Sequence, residues 1–454
     1  VGRPLGQTAG QGHYRETFML TVILAFVICL GVLIFVHEFG HFIVAKAIGI
    51  KVEKFSLGFG PKIPWLGFKK GDTEYMISAL PLGGYVKMAG ENPDEELKGE
   101  PWEFSSRSPW ERMQVVFSGP MMNVILAVLL MFTVFLIGRK IPAYLMTSPV
   151  IGWVRENSPA HKAGFQVGDK VISINDRKID NWEALQMMIV SNAGSKLRIL
   201  VERRGQHLAL SVTPHEVGDM GLGSIGIDHY IPPQIGSVNA GYPAQKAGLQ
   251  AGDLITHING KAVGHWYEIA ELIHDHPGKR VVLNIRRKDR EFSVTVVPMA
   301  DPETKQGLIG IMPSEEMIIK KYGLLASIQN GLAETLRQAK LTFSFIFKLI
   351  RGKTSPKSLG GPIMIAQVAG ASAKAGIPDF IYFMAFLSLQ LGILNLFPIP
   401  ILDGGHIFFL IIEMIAGKPL SIRKREVAQQ IGFGMLILLM VYVFYNDIMR
   451  FFVH

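Results

Sequence analysis

The sequence predicts a polytopic α-helical membrane protein. It has four transmembrane helices with a small membrane-associated β region, plus two tandem α+β domains between the second and third helices. Three observations predict this. Four long apolar runs alternate with charged segments. One stretch of the chain repeats another at a fixed offset. Apolar residues make up 49% and charged residues 18%, too apolar for an ordinary soluble protein and too charged for one lying wholly in a bilayer.

Residues 1–18 are polar and Gly-rich, and a native start is expected at Met19, with an added or N-terminal tail before it. The first span covers about Phe18–Ala45, and nineteen residues of it, Phe18–Val36, carry no charge. The second covers Val115–Gly138, the third Phe380–Leu402 and the fourth Val427–Tyr445. Between the first two, Val52–Gly60 and Thr73–Met88 look extended and are punctuated by Gly-Pro and Leu-Gly-Gly, which predicts a small sheet or hairpin. Leu324, Ile328, Leu332, Leu336, Ala339, Phe343 and Phe347 fall at helical spacing. They predict an amphipathic helix, either on the membrane surface or packed on a soluble domain.

The net charge is +9, yet the basic residues are scattered. The one dense cluster, Arg423-Lys424-Arg425, sits between apolar segments, which argues for a cytoplasmic loop and against a nucleic-acid partner. With Lys418 it places the segment joining the third and fourth spans in the cytoplasm, and the region 139–379 on the other side. Cys29 is the only cysteine, so a bound metal must be held by His, Asp or Glu.

Ile151–Trp182 aligns with Ile235–Trp266 at a constant offset of 84 without gaps, and fourteen of the thirty-two pairs are identical. Ile225-Gly226-Ile227 answers Ile309-Gly310-Ile311 at the same offset. The Pro-Ala-x-x-Ala-Gly and Gly-Asp pattern resembles bacterial PDZ domains. That resemblance implies peptide grooves at Gly226, Ile227, Gly310 and Ile311, where a peptide carboxylate meets backbone N–H groups and the peptide adds as a strand.

The chemistry begins at His37-Glu38-Phe39-Gly40-His41, which follows directly on the uncharged run. On a helix, histidines four apart lie within about 40° of one another, so both can reach one zinc ion. The glutamate beside them can act as general base toward a water. Ionisable groups at the end of a span cost a few kcal/mol each unless paired, so three in five residues require a reason. A third ligand is expected from another span. The third span ends in Asn395-Leu-Phe-Pro398-Ile-Pro400-Ile-Leu402-Asp403-Gly404-Gly405-His406, where two prolines break the helix. Spacing leaves Asp403 and His406 both open as ligands.

The paired motifs resemble the site-two protease family of intramembrane zinc metalloproteases, over essentially all of Met19–Phe452. The resemblance implies His37, His41 and Asp403 as Zn2+ ligands and Glu38 as catalytic base. It makes Asn395, Pro398 and Asn123, the last in Gly119-Pro120-Met-Met-Asn123, substrate-positioning residues, with His406 outside the ligand set. It implies a bacterial inner-membrane protein with periplasmic PDZ domains and an active site near the cytoplasmic face. Its partners would be the lipid bilayer and single-span membrane substrates: an anti-sigma factor already trimmed on its periplasmic side, and remnant signal peptides. An edge strand at Leu80–Met88 is expected to hold the extended substrate. The domain expectation is 19–138 and 380–454 for the membrane protease, 145–228 and 229–313 for the PDZ copies and 314–379 for a linker with the surface helix. The competing reading is a PDZ-type membrane peptide receptor without catalysis, which would not need Glu38. A zinc transporter would need further intramembrane His/Asp sites along a path, and the sequence offers one constellation.

Overall fold

A computed structural model of the protein describes residues 8–91, 99–217, 222–301, 304–352, 356 and 359–453. Residues 1–7 of the expected tail lie outside these. In chain order, the main elements begin with helix α1 (Thr8–Ile48), strands β1 (Val52–Lys70) and β2 (Thr73–Met88), and helix α2 (Pro109–Ile137). The first repeat follows with β3 (Lys170–Ile174), β4 (Arg177–Lys178), α3 (Trp182–Val190), β5 (Leu197–Arg203) and β6 (Gln206–Val212). The second has β7 (Leu254–Ile258), β8 (Lys261–Ala262), α4 (Trp266–His274), β9 (Val281–Arg287) and β10 (Arg290–Val296). Five helices close the chain: α5 (Leu324–Ile350), α6 (Pro362–Ala375), α7 (Ile377–Asn395), α8 (Asp403–Ala416) and α9 (Ile422–Val453). The chain divides into two compact units. A membrane unit comprises Val1–Arg139 and Lys320–His454, and an inserted unit Lys140–Ile319.

Four helices of the membrane unit are long and apolar enough to cross a bilayer: Met19–Ile48, Pro109–Ile137, Ile377–Asn395 and Arg423–Met449. The third stops at Asn395 rather than Leu402, because Pro398 and Pro400 cannot continue a helix. Helix α2 is started by a capping box, in which Ser108 and Glu111 satisfy each other's free backbone N–H groups with Pro109 in the first turn. It packs against α1, α5, α7 and α8. Helix α5, expected either on the membrane surface or packed on a soluble domain, packs against α2 and α7. It buries a small and polar face, Ser327, Gly331, Thr335 and Gln338, against this bundle. Its apolar stripe stays exposed, with Leu324, Leu332 and Phe343 each about half exposed or more. Small residues let helix backbones approach closely, and a stripe turned outward suits lipid contact.

The expected β region forms. The first half of β1 lies between the two halves of β2, pairing Phe55 with both Val86 and Tyr75. The second half of β1 pairs outside Thr73–Ser78, so Leu80–Met88 is left as an edge. No further strand joins this sheet among the described residues. Val52, Phe55, Val86 and Met88 share a core with Ala45 of α1 and Val115 of α2. The β region therefore rests on the helix ends that bracket the histidine motif.

In the inserted unit the repeat is structural. The sheets run β4-β3-β5-β6 and β8-β7-β9-β10. Leu197 pairs with Val212 and Val281 with Val296, again 84 residues apart. Each copy has its own core, one around Ile174, Trp182 and Ile199, the other around Ile258, Trp266 and Leu283.

Candidate metal centre

Helix α1 carries His37 and His41 one turn apart, with rings at 86° to each other. Asp403 arrives from the far end of the sequence as the first residue of α8. The segment Leu396–Leu402 turns the chain between α7 and α8, and Gly404 makes the turn fit. A Cβ there would lie 2.3 Å from the carbonyl oxygens of Leu396 and Phe397. His37 Nε2 lies 3.1 Å from Asp403 Oδ2, His41 Nε2 lies 3.6 Å from Asp403 Oδ1, and the two Nε2 atoms are 3.3 Å apart. Ligands at ~2.0–2.1 Å around a tetrahedral ion lie about 3.3–3.4 Å from one another. The two imidazole nitrogens have that spacing, and the Asp403 carboxylate faces both of them, one oxygen toward each, so three side chains converge as a zinc site with an open position would need.

The second nitrogens support this. His41 Nδ1 is 2.8 Å from the Val115 carbonyl, which can only accept, so Nδ1 carries the proton and Nε2 keeps its lone pair for a metal. His37 Nδ1 is 3.2 Å from the Asn123 amide. For His37 Nε2 to ligate, Nδ1 must donate to Asn123. Its Oδ1, buried with no partner among the described residues, accepts after a half-turn of the amide. Gly119 gives His41 its room, since a Cβ there would lie 2.2 Å from His41 Nε2.

The expected site residues separate accordingly. His37, His41, Glu38, Asp403 and Asn395 come together, and Asn395 Nδ2 is 3.4 Å from His37 Nε2. The Glu38 side chain lies against β2, where a Cβ on Gly84 would come 2.9 Å from Glu38 Cγ. His406 is outside the three-ligand cluster. Pro398 is exposed on the turn before α8. Asn123, expected among the substrate-positioning residues, is fully buried with its amide 3.2 Å from His37 Nδ1. In the inserted unit, Gly310 and Ile311 line a cavity of about 80 Å3 against Ile269, Ala270 and Ile273 of α4. Gly226 has φ +80 and its carbonyl accepts from Arg155 N, while Ile227 pairs with Val154.

The sequence did not reveal the Val115 carbonyl, since a backbone acceptor leaves no residue signature. It also did not reveal Arg112 with Glu413, 2.6 Å apart and nearly buried, which ties α2 to α8 and so steadies the helix that begins at Asp403. An arginine at the start of one apolar helix and a glutamate near the end of another were the available signal.

Comparisons with known proteins follow the same lines. A model of Peptidase family M50 matches residues 25–439. The Regulator of sigma-E protease RseP of Escherichia coli (strain K12) is 36% identical over 94% of this chain and 98% of its own. A putative zinc metalloprotease of Neisseria meningitidis serogroup A is 35% identical over 94% of this chain and 99% of its own. A solved PDZ domain of the SdrC-like protein from Listeria monocytogenes aligns with 19% of this chain and 90% of its own at 30% identity, with a TM-score of 0.17.

Proposed function

Because the chain belongs to peptidase family M50 and is a zinc metalloprotease of the site-two type, we propose that it cuts single-span membrane proteins within the bilayer, close to the cytoplasmic side. The observation that carries this reading is the convergence of His37 and His41, on a helix that can span a membrane, with Asp403 at the head of α8, at 3.1–3.6 Å. His37, His41 and Asp403 would hold a zinc ion there, which would supply Lewis acidity and activate a water for attack. Glu38, beside β2, takes the proton of the attacking water on its carboxylate and returns it to the leaving amine as the peptide bond breaks. We assign Asn395, whose Nδ2 is 3.4 Å from His37 Nε2, to holding a substrate carbonyl beside the metal site. The Lys418 and Arg423–Arg425 charges support a cytoplasmic placement of this end of the bundle.

A peptide bond in a helix is shielded, so a cleaved span must first be extended. The Leu80–Met88 edge, paired on one side only, supports a role as a template for that extended segment. Proline substitutions through Ser78–Met88 that leave zinc content intact should lower cleavage, and unchanged cleavage would remove the template from the account. Relatives named Regulator of sigma-E protease support a substrate that controls a sigma factor, which we take to be a membrane-anchored anti-sigma factor trimmed by an earlier cut, in an envelope stress response. Remnant signal peptides present the same form, one apolar span without a large outer domain. We assign the PDZ-like copies, with their grooves at Gly226–Ile227 and Gly310–Ile311, to substrate screening on the periplasmic side.

The test is cleavage of a single-span substrate by the detergent-solubilised protein. Glu38→Gln should retain zinc and lose cleavage by about 10²–10⁴-fold, the usual worth of a general base. A zinc chelator should abolish cleavage by the wild type, and added zinc restore it. Undiminished cleavage by Glu38→Gln would sink the role given to Glu38, and no cleavage by the wild type would favour a receptor.

A further inference from the structure

The inserted unit contains a cavity of about 680 Å3 that the protease reading does not use. Its size lies within the ~300–1,000 Å3 of small-molecule sites. Tyr144, Trp182, His229 and Tyr230 line it, together with Glu315 and Glu316. The Tyr144 and His229 rings stack at 3.4 Å, and Trp182 stands at 71° to His229 with centroids 6.0 Å apart. Both glutamates are exposed, and among the described residues neither has an ion-pair partner.

The charge is one-sided. No lysine or arginine lines the cavity among the described residues, although the chain carries a net +9. His229 adds no positive charge at neutral pH, because burial, with a smaller contribution from His265, pushes its imidazole down to about 4. Aromatic faces and carboxylates both attract cations, and a cavity wall concentrates their field. A peptide carboxylate would be repelled here, so this site differs in kind from the two expected grooves.

We propose that this cavity binds an organic cation, an alkylammonium or guanidinium group, presented by a free amine or by a basic side chain of a polypeptide. Calorimetry on the full chain in detergent tests it with three probes: agmatine, acetyl-Gly-Arg-Gly-amide and the same peptide with citrulline, the uncharged isostere of arginine. The arginine peptide should bind ~10-fold or more tightly than the citrulline peptide, the order expected for a cation over aromatic and carboxylate groups. The double variant Glu315→Gln, Glu316→Gln should weaken the arginine peptide several-fold and narrow the gap between the two peptides without changing the citrulline value. Agmatine as tight as the arginine peptide identifies a free amine as the ligand; weaker agmatine identifies a polypeptide. Equal binding of the two peptides by the wild type, no measurable binding of either, or a difference that the double variant leaves unchanged would each overturn the proposal.

Discussion

The membrane unit and the inserted unit each place aspartates in guarded positions, and they satisfy them differently. In the inserted unit Asp169 and Asp253 have no exposed surface. Arg203 grips Asp169 through Nε at 2.6 Å and Nη2 at 2.7 Å, and Gln166 N donates a third bond. Arg287 and Gln250 do the same for Asp253, 84 residues on. Each carboxylate is complete within the fold. In the membrane unit Asp403 meets two imidazole nitrogens, and no lysine or arginine pairs with it among the described residues. That cluster is made of acceptors facing one another, which only a cation can hold together. A carboxylate with a fixed arginine stabilises a fold, whereas one among metal ligands is kept for chemistry.

The same substitution in both units should break that contrast open. Asp403→Asn should cost zinc affinity beyond the ~10–100-fold typical of changes behind a ligand, and cleavage with it. The inserted unit should keep its amide protection. Asp169→Asn should do the reverse. It removes the partner of a buried guanidinium contact, worth about 3 kcal/mol, the low end for such pairs because the Arg203 side chain remains 22% exposed. Hydrogen exchange in β3–β6 should quicken while zinc content, read by atomic absorption, stays the same. If Asp403→Asn destabilises the inserted unit, or Asp169→Asn releases zinc, the division of labour is wrong.

Much of this contrast was legible in the sequence. The histidine pair showed because helical spacing fixes its geometry locally, and the repeat showed because two copies of one core need the same residues at the same offset. Spacing narrowed the third ligand only to Asp403 or His406, since contact across more than 360 residues depends on how helices pack, and it was the family resemblance that pointed to Asp403. Asn123 was seen as part of a motif, yet its side chain turns to His37, which spacing cannot tell. Helix α5 was seen as amphipathic, but which face meets the bundle was not. Its buried face is small and polar, the inverse of a soluble helix, because lipid rather than water surrounds the bundle. The cation cavity escaped because its walls come from Tyr144, the segment around His229 and Glu315–Glu316, none of which forms a motif.

The smallest expected effect concerns pH and belongs to the inserted unit alone. His229 faces Tyr144 and Trp182, and His265 faces Trp153, Tyr230 and Tyr267, with Asp228, Arg155 and Glu268 as the charged neighbours. Burial lowers both imidazoles, His229 to about 4. A histidine lowered in the fold stays neutral there while the unfolded chain takes up a proton below about 6.5. The unfolded state then binds more protons, so stability falls as pH drops from about 6.5 towards 4, and is level above and below that window. Hydrogen exchange in β3–β10, corrected for the intrinsic rate, should show this loss between pH 7 and 4.5. His229→Phe keeps a ring against Tyr144 and removes the proton site, so its pH slope should be shallower than that of the wild type. An equal slope in the variant would mean that His229 is solvated, and that the stack with Tyr144 does not shield it.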